Sequence, residues 1–465
     1  MSVETNVETE IETNDNGMIY GLDDVPKPFS KTLGLSIQAI LTMFGATVAV
    51  PLLVGPKLGL GPVQMAILVS ACFIAAGLAT LVQVNFGTRL PIIQGTSFSF
   101  LAPFFAIIAT VDGGGAETMA YISGAVISGA LVEAFIGFSG LMGVLRKYIT
   151  PVVIGPTIML IGLGLYEAGA PQAGQNWIIS IIVILAVFYF SLMSKSKKLS
   201  LFPILIAVVI GYIVALFMTL TGILEPGMPG YVDFAPVTNA PWFRDPRSLI
   251  FPWGMPKFKL SFFFAILAAY LASAIESFGD YFSMADVAGA SEPTTKQINR
   301  GIGSEGIGCL LAGLVGAFAN TSYTENIGLV GLTKVASRYV TTVAAVLLIV
   351  LGLFAKTGAL VATIPGPVVG GVYCALFGLI AAVGLSNLMK ADMGSQRNQM
   401  IVGFALFMGL SLPVYFGNNP LELPNAQVLA EIVNTIGTTG MGVTAILALI
   451  LDNVIPGTDE ERGIA

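Results

Sequence analysis

Four carboxylates in an otherwise apolar chain are the residues whose chemistry needs explaining. Glu276 and Asp280 stand four apart in A-I-E-S-F-G-D-Y-F-S-M-A-D (Ala274 to Asp286), so on a helix they share one face, one turn apart. Glu305 follows in G-I-G-S-E-G-I-G, and Glu325 in N-T-S-Y-T-E-N-I-G-L-V-G-L-T-K (Asn320 to Lys334). An Asp at the centre of a membrane span costs about 2.5–3.5 kcal/mol on insertion scales. No Lys, Arg or His stands beside these acids at mid-span to neutralise them. Several such groups at one depth must take up protons, hold a cation, or accept hydrogen bonds from a ligand's N–H groups. Each outcome is what a proton- or cation-coupled carrier uses. Glu276, Asp280, Glu305 and Glu325 are therefore the candidate ion-coupling residues. For Asp280 and Glu305 the rival is a hydrogen bond that braces the fold. Glu133 and Glu167 are expected to be structural or peripheral.

The elements that must position these acids are membrane spans. The chain has 465 residues, 55% of them hydrophobic and only 10% charged. A soluble domain carries about 25% charged residues. Apolar runs recur from Thr32 to Asp452, long enough to cross a hydrocarbon core of about 30 Å as helices. The class is an all-α polytopic membrane protein. Cys72, Cys309 and Cys374 sit in apolar runs as small packing residues, with neither disulfide nor metal spacing. Histidine is absent from the sequence, which excludes a His base, relay or metal ligand. No cofactor, metal or nucleic-acid partner is expected. Residues 1–30 begin acidic and rich in Thr and Asn, and are expected to form a disordered cytoplasmic tail. With neither a basic start nor an apolar core, this stretch does not resemble a signal peptide.

Hydropathy and glycine or proline breaks predict fourteen segments. The first seven are 34–54, 62–84, 91–110, 118–144, 149–168, 176–193 and 201–219. The second seven are 260–285, 301–319, 323–337, 339–355, 363–386, 399–416 and 427–452, the last opening with a short interfacial piece. With both termini cytoplasmic, inside loops hold 15 of the 21 basic residues, in line with the positive-inside rule. Seven segments per half run in opposite senses, which is the inverted-repeat plan of secondary transporters. The third and tenth segments share an oddity. Q-G-T-S-F-S-F-L-A-P (Gln94 to Pro103) and the stretch from Asn320 each begin polar and glycine-bearing, then turn apolar. Each is expected to be a half-helix preceded by a short strand. Non-helical backbone at membrane depth is tolerated only in protein or beside a cavity. Two helix N-termini would then converge, each offering free N–H groups and partial positive charge. Phe98, Ser99, Asn326, Ile327 and Gly328 are placed to present backbone N–H groups there, and the Phe98 ring to stack on a flat ligand. The alternative is a plain glycine contact between helices through Gly328 and Gly331.

At these residues the sequence resembles the nucleobase–ascorbate transporters, also called nucleobase:cation symporter-2. Their signature of Gln, Glu or Pro, then Asn, any residue, Gly, four residues and Thr is matched by Glu325-Asn326-Ile327-Gly328 and Thr333. Q-G-T-S-F-S-F, E-S-F-G-D-Y and R-G-I-G-S-E-G (Arg300 to Gly306) agree in order, and the likeness spans about 34–452. The resemblance implies a core domain of segments one to four (31–144) and eight to eleven (260–357). It implies a gate domain of segments five to seven (145–220) and twelve to fourteen (358–455) that mediates a homodimer. An extracellular connection (221–259) and a cytoplasmic tail (456–465) complete the chain. By the same resemblance Glu276 and Glu325 hydrogen-bond the ring N–H groups of a base, and backbone N–H groups at Phe98 and the start of segment ten meet its carbonyls. Asn326 would brace the site and Glu305 support coupling.

The implied activity is import of a nucleobase through the plasma membrane by proton symport. The Glu of E-N-I-G resembles uracil carriers, whereas Asp280 is like purine and ascorbate members, and T-K-V-A-S-R is like the ascorbate branch. Uracil, xanthine or uric acid, and ascorbate therefore stay open, as does sodium in place of the proton. A sulfate-type anion carrier would share the segment plan but call for a cationic or uncharged site. A channel would need a continuous polar face on several segments, where polarity here is confined to four. An intramembrane enzyme would have only a carboxylate pair to work with, so the chain is not expected to be an enzyme.

Overall fold

Long apolar runs become helices because a backbone in lipid has to satisfy its own hydrogen bonds. The computed structural model describes residues 17–142, 146–196 and 199–464. In chain order the first half holds α1 (Phe29–Lys57), α2 (Pro62–Asn85), strand β1 (Gln94–Thr96), α3 (Leu101–Thr110), α4 (Gly115–Ser139), α5 (Pro151–Leu163), α6 (Tyr166–Ala173), α7 (Trp177–Phe188) and α8 (Pro203–Leu220). The second half opens with α9 (Leu260–Val287), α10 (Thr295–Leu314), strand β2 (Asn320–Ser322) and α11 (Thr324–Thr333). It continues with α12 (Arg338–Leu353), α13 (Ala355–Ala362), α14 (Gly366–Leu388), α15 (Gln396–Asn418), α16 (Gln427–Gly437) and α17 (Gly440–Val454).

Taking α5 with α6, eight of the described helices are long and apolar enough to cross a membrane. The number is nine if α16 and α17, bent by 93° at their junction, form one span. Three shorter apolar helices cover 98–110, 177–193 and 338–353.

Some helix edges depart from the sequence expectation. Helix α10 begins six residues early, at Thr295, because Thr294 and Gln297 form a capping box. It stops at Leu314, beyond which Gly316 takes a φ of +69°, and the Trp253 indole N–H donates to its carbonyl at 2.7 Å. An unexpected short helix, α13, fills the stretch between the eleventh and twelfth expected segments, and α14 starts after it at Gly366, behind Pro365.

The two broken segments meet as an antiparallel ladder. Its register pairs Gln94 with Ser322, Gly95 with Thr321 and Thr96 with Asn320. Bonds at either end extend it, from Ser97 N–H to Ala319 O and from Tyr323 N–H to Ile93 O. All six strand residues are buried. Cys309 pins the inner strand: its thiol donates to Asn320 O at 3.1 Å, and the Asn320 N–H donates back to Sγ at 3.2 Å. Gly95 is required here, since a Cβ on it would lie 2.3 Å from the Tyr323 ring.

The expected disordered tail needs correction where it can be seen. Residues 1–16 lie outside the described residues. From Gly17 the chain forms a strap, with Met18 3% exposed. Ile19 and Tyr20 N–H groups donate to Lys334 O, and Ala336 and Arg338 N–H groups donate back to Tyr20 and Leu22. An ion pair joins Arg338 to Asp23. The strap thus gives backbone partners to the turn that ends α11, groups that would otherwise go unpaired. At the chain's other end, buried Asp452 gathers Arg397 at 2.9 Å, Arg462 at 3.0 Å and the Thr150 hydroxyl at 2.9 Å. This joins α5, α15, α17 and the final helical turn. The 221–259 connection is tied down by an ion pair of 2.5 Å between Lys257 and Glu117. That contact raises the Lys257 pKa by hydrogen bonding to the carboxylate.

Candidate functional site

Because the ladder is antiparallel, the helical stretches that follow its strands leave from opposite ends. Ser97 caps the first, accepting the Ser99 N–H at 3.2 Å, and Phe98–Phe100 form a tight turn that runs into α3. Helix α11 starts at Thr324 with Glu325 in its first turn, where an acid faces the positive end of the helix dipole. One side of α9 serves both tips. Glu276 Oε2 accepts from Ser99 Oγ at 3.3 Å. Asp280, 6% exposed, accepts from Ser322 Oγ at 2.6 Å and from Thr324 Oγ1 at 3.0 Å. Glu325 lies within electrostatic reach of both acids.

A cleft of about 180 Å³ opens beside this face. Glu276, Gly279 and Asp280 of α9 line it with Thr324, while Asn387 and Lys390 at the end of α14 form part of the facing wall. A Cβ on Gly279 would meet nothing within 4 Å, as would one on Gly328. Gly328 is thus free of the close helix contact considered as its alternative role. Among the described residues, no group of three or more His, Cys, Asp or Glu side chains is arranged to hold a metal.

The other expected residues divide by position. Phe98 is half-buried and packs edge-on against Phe377, centroids 5.8 Å apart, so its ring face is not simply open. Ser99 differs from expectation: its N–H is taken by Ser97, and its hydroxyl is what faces Glu276. The Asn326 N–H is likewise occupied, donating to Tyr323 O at 3.2 Å. Its side-chain amide donates to Ala39 O at 3.3 Å, tying α11 to α1. Ile327 is 5% exposed and buries its side chain. Glu305, 1% exposed, does not line the cleft. It sits behind α9, accepting from Ser273 at 3.0 Å and Tyr281 at 3.3 Å.

Sequence reasoning passed over Ser322 and Thr324 as partners of Asp280, although T-S-Y-T offered four hydroxyls next to a required acid. It gave Glu133 a structural or peripheral role. That residue is 3% exposed and close enough to Glu305 for their charges to interact.

Two interrupted helices crossing at a strand pair, with acids at their tips and a cleft alongside, define a multi-pass membrane protein built on a transporter plan. The fold resembles the transmembrane domain of a cyanobacterial bicarbonate transporter, BicA. That match has a TM-score of 0.58 at 17% identity, over 90% of this chain and 99% of the other. A profile described as "Permease family" matches residues 30–417. Solute carrier family 23 member 2 of Mus musculus is 38% identical over 98% of this chain and 77% of its own length. Nucleobase-ascorbate transporter 1 of Arabidopsis thaliana is 34% identical over 96% of this chain and 91% of its own. The chain belongs to the nucleobase–ascorbate transporter family.

Proposed function

We propose that this chain is a secondary active transporter that imports a nucleobase, of the uracil or the xanthine and uric acid type, by proton symport. The observation that carries the reading is the acceptor-rich cleft. Glu276 and Asp280 line it, and Glu325 lies within reach of both. Carboxylates accept hydrogen bonds, and an oxo-base brings ring N–H donors. Its carbonyls would turn to the N–H groups at Phe98 and at the start of α11, while Asn326, Ile327 and Gly328 shape that tip.

The proposed architecture has fourteen segments in two inverted repeats, supported by a helix in each of the expected ranges. Residues 31–144 and 260–357 form the core domain, and 145–220 and 358–455 the gate domain and dimer surface. Both termini face the cytoplasm of a plasma-membrane protein. Lys390 belongs to the basic residues assigned inside, so the cleft corresponds to an inward-open state. Alternating access would close it by moving α14 against α9. Family relatives are named as transporters, and we read no enzymatic role into the acids.

A second reading, ascorbate with proton or sodium coupling, is favoured by T-K-V-A-S-R and Asp280. An anion carrier of the same fold fits less well, since the acids at the half-helix tips oppose a bound anion.

The test is thermal unfolding of the purified protein with uracil, xanthine, uric acid, adenine, guanine or ascorbate. A ligand at 100 times its Kd stabilises by about 2.7 kcal/mol. Selective stabilisation by an oxo-base, lost in Glu276→Gln and Glu325→Gln, is the expected result. Stabilisation by ascorbate alone overturns the nucleobase reading. Uptake that needs a sodium gradient and ignores a pH gradient overturns proton coupling.

A further inference from the structure

Helices α4 and α10 meet backbone to backbone at two points. A Cβ on Gly137 would lie 2.1 Å from the Gly303 nitrogen, and one on Gly306 2.4 Å from that of Ala134. Along this seam two acids are buried: Glu133 is 3% exposed and Glu305 1%. Glu305 is well supplied, with the Ser273 and Tyr281 hydroxyls donating to its two oxygens. Glu133 is not. Neither of its oxygens has a hydrogen-bond partner. The other titratable groups that face it are Tyr270 and Tyr281 of α9 and Cys309 of α10. Helix α3, also packed on α4, carries no titratable residue. The ion pairs among the described residues involve neither acid.

An ionised carboxylate without donors in an apolar interior is penalised by several kcal/mol. Two of them close enough for their charges to interact add mutual repulsion, and the least costly remedy is a proton held by the pair. A metal ion would need more oxygen ligands than converge here.

We propose that Glu133 and Glu305 share one proton and form a relay behind the substrate cleft, with Glu133 storing the proton whenever Glu305 is ionised. In the transfer the O–H bond at Glu133 breaks and a new one forms at Glu305. Glu133 is left ionised and Glu305 neutral, so the pair keeps a charge of −1. Glu305 in turn acts electrostatically on Glu276 at the cleft, which links the stored proton to the ligand-facing acid. The inference rests on the proton-symport reading for its purpose, but its chemistry can be observed without substrate.

Infrared spectra of the full-length wild type should show a carboxylic-acid C=O band at neutral pH. One component of the band should disappear in Glu133→Gln, shift in Glu305→Gln and return, displaced, in Glu133→Asp. A spectrum unchanged by Glu133→Gln overturns the proposal, whatever the protein transports. In proteoliposomes with radiolabelled uracil and xanthine, Glu133→Gln should keep exchange at equal pH and lose accumulation driven by a pH gradient. Loss of both activities in a variant with wild-type unfolding temperature would overturn the relay in favour of a structural role. Absence of uptake by the wild type, with the band present, would sink the symport reading alone.

Discussion

Ser322 closes one end of the three-rung ladder and Ser99 lies three residues past the other, and each turns its hydroxyl to a carboxylate of the same helix. The first donates to Glu276 at 3.3 Å and the second to Asp280 at 2.6 Å. Four residues along α9 correspond to about 6 Å, so a single helix joins both half-helix tips. The two acids are not equally engaged. Asp280 receives a second hydroxyl, from Thr324, and is committed to the frame. Glu276 has one long bond and keeps capacity for a ligand.

Asp280→Asn should therefore act on stability and Glu276→Gln on binding. Replacing an acceptor of two hydroxyls with an amide mismatches at least one, at a cost of about 1–3 kcal/mol. Thermal unfolding without ligand should fall for Asp280→Asn and hold for Glu276→Gln. Equal losses in both would contradict the division.

Gly95→Ala should disrupt the ladder. The added carbon meets the Tyr323 ring at 2.3 Å, and that ring is anchored by its hydroxyl to Thr96 O at 3.1 Å. Overpacking of this kind costs about 1–3 kcal/mol. Helical content by circular dichroism should survive while ligand-induced stabilisation drops. Full ligand response in the variant would refute the geometry.

Asp452→Ala leaves Arg397 and Arg462 without their buried counter-ion, whose side chain is 0% exposed. Removing one partner of such a cluster costs about 3–5 kcal/mol. The unfolding temperature in detergent should drop well beyond that of Glu117→Ala, which breaks an exposed pair worth about 0–1 kcal/mol.

Gly279→Cys should be tolerated, since its Cβ enters open space, and should react with a polar thiol reagent. Labelling in inside-out vesicles, slowed by substrate, is the expected outcome. Labelling only from the outer face would reverse the proposed orientation of the cleft.

Deleting the strap up to Asp24 removes the acceptors of the Ala336 and Arg338 N–H groups. Hydrogen exchange at these two amides should accelerate at least tenfold, a loss of about 1.4 kcal/mol in local protection, while amides of α2 stay protected.

The broken elements are readable in Q-G-T-S-F-S-F and N-T-S-Y-T-E-N. A polar, glycine-bearing lead-in before a short apolar run has few other uses in lipid. The acids are readable too, because each is conspicuous in its run. Partnerships are not. Asp280 finds its hydroxyls on a strand and a helix start more than forty residues further on, and Glu133 comes near Glu305 only because α4 packs on α10. Hydropathy reports how long a run is and nothing of which face meets which. The strap escaped notice for a related reason: an acidic, Thr-rich composition describes affinity for water, whereas Ile19 and Tyr20 are held by the carbonyl of a distant turn.

What keeps Glu133 and Glu305 neighbours is a set of missing atoms. At Gly137 and Gly306 the chain withholds its methyl groups, so main chain rests on main chain and no rotamer can alter the gauge. One carbon inserted at either point would act as a shim, prising the helices apart and weakening the coupling without changing either acid.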